Sequence, residues 1–231
     1  MVSKGLMGAW AFIDFLLLAG GGMSIALSIV WRAPNILMNM ALSPEFLTGG
    51  MVVGIALCAT FLVSIGAVVQ RNHVTVGFVI LNYFLIVDSI IVLVVGTMIW
   101  FFSLRQRSEF HVKWQGLSDQ DRITLQDKFR CCGYFGPSDP AFKASDVQVG
   151  GAFCVSKEFA ASLASNNTAN FCVSPVTTFT DYTLENTFTT IYGLMAVVLS
   201  LLVASLCVIK KRQEEERFKR IDAKRGGRGF V

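Results

Sequence analysis

Residues 130–140 read "RCCGYFGPSDP". Two cysteines stand side by side, and a glycine follows them. Adjacent cysteines do not readily bond each other, because the small ring they close strains the disulfide geometry. Cys131 and Cys132 therefore each need a partner elsewhere. The same polar stretch holds two more cysteines, Cys154 and Cys172. Setting aside Cys131–Cys132 leaves two of the three pairings: Cys131–Cys172 with Cys132–Cys154, or the reverse. An even set of cysteines in one polar segment points to an oxidising compartment and two disulfides. Zinc is the rival reading. An abutting pair lacks the usual C-x2–4-C ligand spacing, so no metal is expected.

The sequence around this stretch is built for lipid. Of 231 residues, 53% are hydrophobic and 16% are charged, an apolar excess beyond that of ordinary soluble domains. Long runs with little or no charge cover residues 8–31, 51–69, 74–102 and 187–209. Each has about 19 residues or more, enough to cross a hydrocarbon layer roughly 30 Å thick at 1.5 Å per residue. Buried helices of a soluble protein would need a polar shell that the remaining residues cannot supply. The expected fold is an all-α membrane protein. It has four transmembrane helices and a disulfide-stabilised, mainly helical large extracellular loop between spans three and four. Only Lys4 precedes the first run, and no small-x-small site ends it before Trp31-Arg32, so it reads as an uncleaved signal anchor.

Flanking basic residues set the orientation. The tail at 210–231 carries nine Lys and Arg against four acids, beginning with Lys210, Lys211 and Arg212. The link at 70–73 contributes Arg71, and the segment at 1–7 contributes Lys4. All three fall on one side of a four-span chain, so both termini are expected in the cytoplasm, at the plasma membrane or an endomembrane. The other side then receives a small loop at 32–50 and a large one at 103–186. The large loop contains the sequon Asn166-Asn167-Thr168, with Asn166 the glycosylation candidate.

The third span is expected to run on as helix through "SLRQRSEFHVKW" until Gly116 interrupts it. Ser118 is a suitable N-cap for "LSDQDRITLQDKF", with Ile123, Leu125 and Phe129 as apolar anchors. Gly133 suits a left-handed helix exit. Residues 134–175 read as loop with short helical pieces, and helix resumes near Thr177 into the fourth span.

Four spans, a small first loop, a large second loop and "LQDKFRCCG" at residues 125–133 together resemble the tetraspanin family. The motif Cys131-Cys132-Gly133 in that position is the family's signature, and the resemblance extends over nearly the whole chain. It implies the pairing Cys131–Cys172 and Cys132–Cys154. There are departures. The family's Pro-x-Ser-Cys at the third cysteine reads Gly151-Ala152-Phe153-Cys154 here. Paired cysteines are missing near the end of span two, and the fourth span has no acid or amide. These differences and the four-cysteine loop resemble a fungal-type member.

Polar groups inside the spans are costly and tend to be paired or functional. Asp14 lies about seven residues into span one and Asn82 about eight into span three, at similar depth. A protonated Asp14 is expected to hydrogen-bond Asn82 or a nearby carbonyl. Asp88 lies deeper, about 21 Å from the inner side at 1.5 Å per residue. Packing against Ser or Thr partners is the favoured reading for it; a cavity that takes sterol or a lipid headgroup is the alternative. An intramembrane aspartyl protease is disfavoured, because the two acids differ in depth and no Gly-x-Gly-Asp run occurs. Gly22-x-x-x-Ala26 and Gly50-x-x-x-Gly54 are expected to let spans one and two approach closely. Cys207, three residues before Lys210, is a palmitoylation candidate, while Cys58 is mid-span and reads as a small apolar residue. The pairs Glu215–Lys219 and Glu216–Arg220 suggest a short tail helix. Its basic excess favours anionic lipid, with Lys210, Lys211 and Arg212 facing the lipid.

The two histidines, His73 and His111, form no dyad with a nucleophile, and no Ser-centred elbow, P-loop or metal-binding helix motif is present. No catalytic residue, cofactor or nucleic-acid partner is expected; the "RGGRG" end of a membrane tail is a weak RNA signal. The favoured function is a membrane organiser or scaffold. It binds other membrane proteins through its large loop and spans, as a homo- or hetero-oligomer, and binds lipid, including sterol. Tyr134, Phe135, Phe142 and Phe153 are either contact sites or the small core of the loop, with core favoured. The resemblance further implies roles in adhesion, trafficking, fusion or polarised growth. A small channel or transporter is the alternative, weakened by the scarcity of charged residues within the spans and by the lack of an inverted repeat.

Overall fold

A computed structural model describes residues 4–33, 38, 41–69, 76–135, 154 and 170–224. Among the described residues the chain is helical, with no strand. Helix α1 is Lys4–Val30, α2 is Pro44–Val69, α3 is Val76–Gly116, α4 is Asp119–Phe129 and α5 is Val173–Lys224. Four of these, α1, α2, α3 and α5, are long and apolar enough to cross a membrane. The chain is a multi-pass membrane protein on that basis.

The helices outrun the apolar stretches that announce them. Helix α2 begins at Pro44, and its first turn carries Glu45; proline is preorganised for a helix start, and an acid there complements the exposed N–H groups. Helix α3 continues for 41 residues to Gly116, and α5 for 52 residues from the cysteine loop into the basic tail. The tail helix is therefore the end of α5 rather than a separate element. One of its ion pairs joins Lys211 to Glu214 at 3.4 Å.

The chain divides into two compact units. The first comprises Met1–Val30, Glu45–Gly96 and Thr190–Val231. Here α1 and α2 run antiparallel in close contact. A Cβ built on Gly54 would lie 2.6 Å from Ile25 Cγ1 and 2.8 Å from the Gly21 carbonyl oxygen, so only glycine fits. One on Gly50 would meet Ser28 Oγ at 2.8 Å. The α2 half of the expected contact is therefore Gly50 and Gly54. The α1 half differs from the expectation: Gly22 faces open space, and Gly21, Ile25 and Ser28 line the contact. They share one face at i, i+4, i+7, one residue out of phase with Gly22-x-x-x-Ala26.

The remaining register follows from other pairs within this unit. Gly96 faces Tyr192, Asn82 accepts from Ser205, and Arg212 stacks over Phe78 at 4.6 Å; these pairs progress in opposite directions along α3 and α5. Trp10 packs edge-on against Phe78 with centroids 5.8 Å apart, which places the parallel helices α1 and α3 side by side. The unit's outward side chains, among them Phe15, Leu62, Val69 and Ile90, are more than half exposed and apolar. Such a surface is solvated by a bilayer rather than by water.

The second unit comprises Trp31–Pro44 and Thr97–Thr189. Its core is a cluster of Phe110, Trp114, Leu125, Cys131, Tyr134, Phe171, Cys172, Val173 and Val176, all buried.

Candidate functional site

The cysteine loop is assembled from its helix ends inward. Gly116 closes α3, and the last carbonyls of a helix need donors from outside it. Arg122 supplies them. Its Nε donates to the Trp114 carbonyl at 3.1 Å and its terminal nitrogen to the Gln115 carbonyl at 2.6 Å. Ser118 caps α4, its Oγ accepting from the Asp121 N–H at 3.2 Å, as its residue type predicts. Leu125 carries the α4 contact and is fully buried, while Ile123 and Phe129 are partly buried.

Helix α4 leaves through Arg130, which sits in the left-handed region at φ 50°. The exit expected at Gly133 is thus made three residues earlier by a non-glycine residue. Gly133 is also left-handed, at φ 68°, and turns the chain after the cysteines. The backbone beyond is clasped to the start of α5. The Cys132 N–H donates to the Asn170 carbonyl at 3.0 Å, Cys172 N–H to Gly133 at 2.9 Å, and Val173 N–H to Tyr134 at 3.2 Å. In this geometry Cys131 pairs with Cys172 and Cys132 with Cys154. This is the arrangement implied by the family resemblance.

Tyr134 is fully buried, and its hydroxyl donates to the Arg107 carbonyl at 3.2 Å. Phe135 next to it is 51% exposed. Of these two aromatics, one is core and the other is surface. His111 lies against both rings, with centroids 5.4 and 4.8 Å away. Phe142, Phe153, His73, Arg71 and the sequon residue Asn166 lie outside the described residues. In the same unit a groove of about 600 Å³ is lined by Trp100, Ser103, Asp181, Leu184, Glu185 and Phe188, among others. Gln106 donates to Asp181 above it.

Polar groups in the first unit form a second constellation, and their partners differ from those expected. Asp14 does not pair with Asn82. The Ser64 hydroxyl donates to Asp14 Oδ2 at 2.6 Å, and Asn82 is partnered by Ser205. The two residues do share a level, as the Trp10–Phe78 contact shows. Each turns instead to its antiparallel neighbour, where a serine lies within reach. Asp88 is 3% exposed and faces the fully buried Thr60, the helix-packing arrangement with a hydroxyl partner. Arg212 is also not lipid-facing. It is 5% exposed, folded against Phe78, whereas Lys210 and Lys211 project outward. Cys207 is exposed and Cys58 partly buried. Cys58 Sγ borders Gly21.

Among the described residues no group of three or more His, Cys, Asp or Glu side chains is placed to hold a metal ion. Compared with family models, curated proteins and solved structures, the chain matches none.

Proposed function

We propose that the chain is a tetraspanin-like membrane organiser, which binds neighbouring membrane proteins through its cysteine-tied loop and gathers them laterally. In this reading 103–186 lies outside the cell, both termini are cytoplasmic, Asn166 is glycosylated and Cys207 is acylated. The observation that carries the reading is the clasp itself. The Cys131–Cys172 pair and three backbone hydrogen bonds hold residues 131–134 against 170–173 over a buried aromatic cluster, and the Cys132–Cys154 pair ties Cys154 to the same end. They leave Phe135 displayed on a fixed support. A preorganised aromatic surface loses little entropy on binding, which is what a lateral docking site requires. Exposed Lys210 and Lys211 add attraction to anionic lipid, and the apolar outer faces of the spans supply lipid contact.

Proximity labelling of the full chain in its own membrane, with crosslinking in gentle detergent, tests this. The expected result is a reproducible set of membrane-protein neighbours that thins in the Phe135→Ala variant. An unchanged set in that variant, or labelling no different from an unrelated four-span protein, contradicts it.

A further inference from the structure

The groove of about 600 Å³ in the second unit lies where two apolar runs end. Its lining takes Trp100 and Ser103 from α3, and Asp181, Leu184, Glu185 and Phe188 from α5. The run at 74–102 stops between Trp100 and Ser103, and the run at 187–209 begins beside Phe188. The groove therefore sits at the edge of the hydrocarbon layer, at the level of lipid headgroups, where tryptophan is at home. Its volume falls in the range of small-molecule sites, roughly 300–1,000 Å³.

The charge in the groove is one-sided. Asp181 and Glu185 are four residues apart, so both carboxylates share one face of α5, and Phe188 follows on that face. Gln106 donates to Asp181 and holds it in place, while its own Oε1 is buried with no hydrogen-bond partner. No Lys or Arg lines the groove, and among the described residues none pairs with either acid. Acceptors and negative charge therefore stand beside aromatic and aliphatic side chains. A metal ion needs a shell of oxygens around it, which Trp100, Leu184 and Phe188 do not offer. A quaternary ammonium suits the set. It has no N–H to satisfy, its methyl groups pack on apolar side chains, and its charge is drawn to ring faces and carboxylates together. Ser103 also lines an adjoining depression with Arg105 and Arg107. Positive charge next to the acidic groove matches a zwitterion, with a phosphate beside the ammonium. A basic side chain of a partner protein carries no such anion.

We propose that this groove binds the phosphocholine headgroup of a bilayer lipid. The trimethylammonium lies against Trp100 and Phe188, Asp181 and Glu185 meet its charge, and the phosphate turns toward Arg105 and Arg107. The inference rests on the membrane spans and not on the organiser reading, so either can fail alone.

The test is native mass spectrometry of the full chain released from nanodiscs. These contain phosphatidylcholine, phosphatidylethanolamine and phosphatidylglycerol in equal parts. One phosphatidylcholine should be retained per chain, favoured roughly fivefold over phosphatidylethanolamine, whose ammonium is unmethylated. Glu185→Gln and Trp100→Leu should abolish that preference. Glu109→Gln, which makes the same charge change on α3 away from the groove lining, should keep it. If Trp100→Leu does not fold, Glu185→Gln decides the matter, because Glu185 is exposed and the change is isosteric. Equal retention of the choline and ethanolamine lipids overturns the proposal, as does a choline preference that survives Glu185→Gln. An arginine-rich peptide that binds the wild type and not Glu185→Gln, with no choline preference, overturns it by assigning the groove to a protein partner.

Discussion

At the scale of single residues, the packing of α1 on α2 turns on which glycine faces the neighbour. Gly54 has a backbone oxygen at 2.8 Å from where its Cβ would sit, and Gly22 has nothing within 4 Å. Gly54→Ala should therefore destabilise by about 1–3 kcal/mol, because a carbonyl cannot swing aside as a side-chain tip can. Gly22→Ala should be neutral or slightly stabilising through helix propensity. Paired melting curves of the two variants check this. The small-residue pattern was legible in the sequence, but its phase was not. Gly20, Gly21 and Gly22 are chemically identical, and only the register against α2 selects one of them. The same limit explains Asp14 and Asn82. Depth follows from counting residues, so their common level was readable. The choice of partner depends on which way each side chain turns, and that is fixed by packing with antiparallel neighbours. The serines at 64 and 205 gave no special signal, being ordinary polar residues in apolar runs. Arg122 also escaped notice; a basic residue shortly after a helix-ending glycine was its only mark. Arg122→Ala should cost about 1 kcal/mol by removing the side-chain donor to the Trp114 and Gln115 carbonyls, of which only Trp114's keeps a second donor, the Leu117 N–H. Faster amide exchange around Gly116 and Leu117 would report it.

At the scale of elements, the two cysteine pairs are not equivalent. Their sequence separations are 41 and 22 residues. Chain-entropy arguments alone give about 4 and about 3.5 kcal/mol, too close to rank them. Burial does not rank them either, since all four cysteines are buried; their place in the core does. Cys131 and Cys172 lie within the aromatic cluster, whereas Cys154 does not belong to it. Replacing both Cys131 and Cys172 by Ala should therefore expose the loop to protease far more than replacing both Cys132 and Cys154. Limited proteolysis of the two double variants in membranes compares them directly. Helix α5 offers a second contrast. Arg212 is packed on Phe78 while Lys210 and Lys211 are outward. Arg212→Ala should lower stability by about 1–2 kcal/mol through lost stacking and stem packing. Lys210→Ala should leave stability unchanged and weaken the preference for anionic lipid around the tail by roughly fivefold. Exchange of spin-labelled anionic lipid around the reconstituted chain and melting curves separate the two effects. Charge counting in the tail treated these three residues alike. Their helical phase, set only once α5 was seen to run on without a break, distinguishes them.

At the scale of the whole molecule, the four spans were legible because length and hydropathy leave a helix crossing lipid few alternatives. The paired cysteines were narrowed to two arrangements by local strain and to one by the resemblance of the CCG loop to a known family. The extent of α3 and α5 beyond the apolar runs was partly foreseen, from helix-forming residues at 103–114 and from tail charge pairs. We propose that the segment between α3 and α5 is outside the cell and tied by Cys131–Cys172 and Cys132–Cys154. The most direct test of this is peptide mapping without reduction, on the full chain taken from cell membranes after all accessible thiols are alkylated. The expected result is two linked peptide pairs, Cys131 with Cys172 and Cys132 with Cys154, and no alkyl label on any of the four. Alkylated thiols throughout that segment, or linkage in the crossed arrangement, would contradict it.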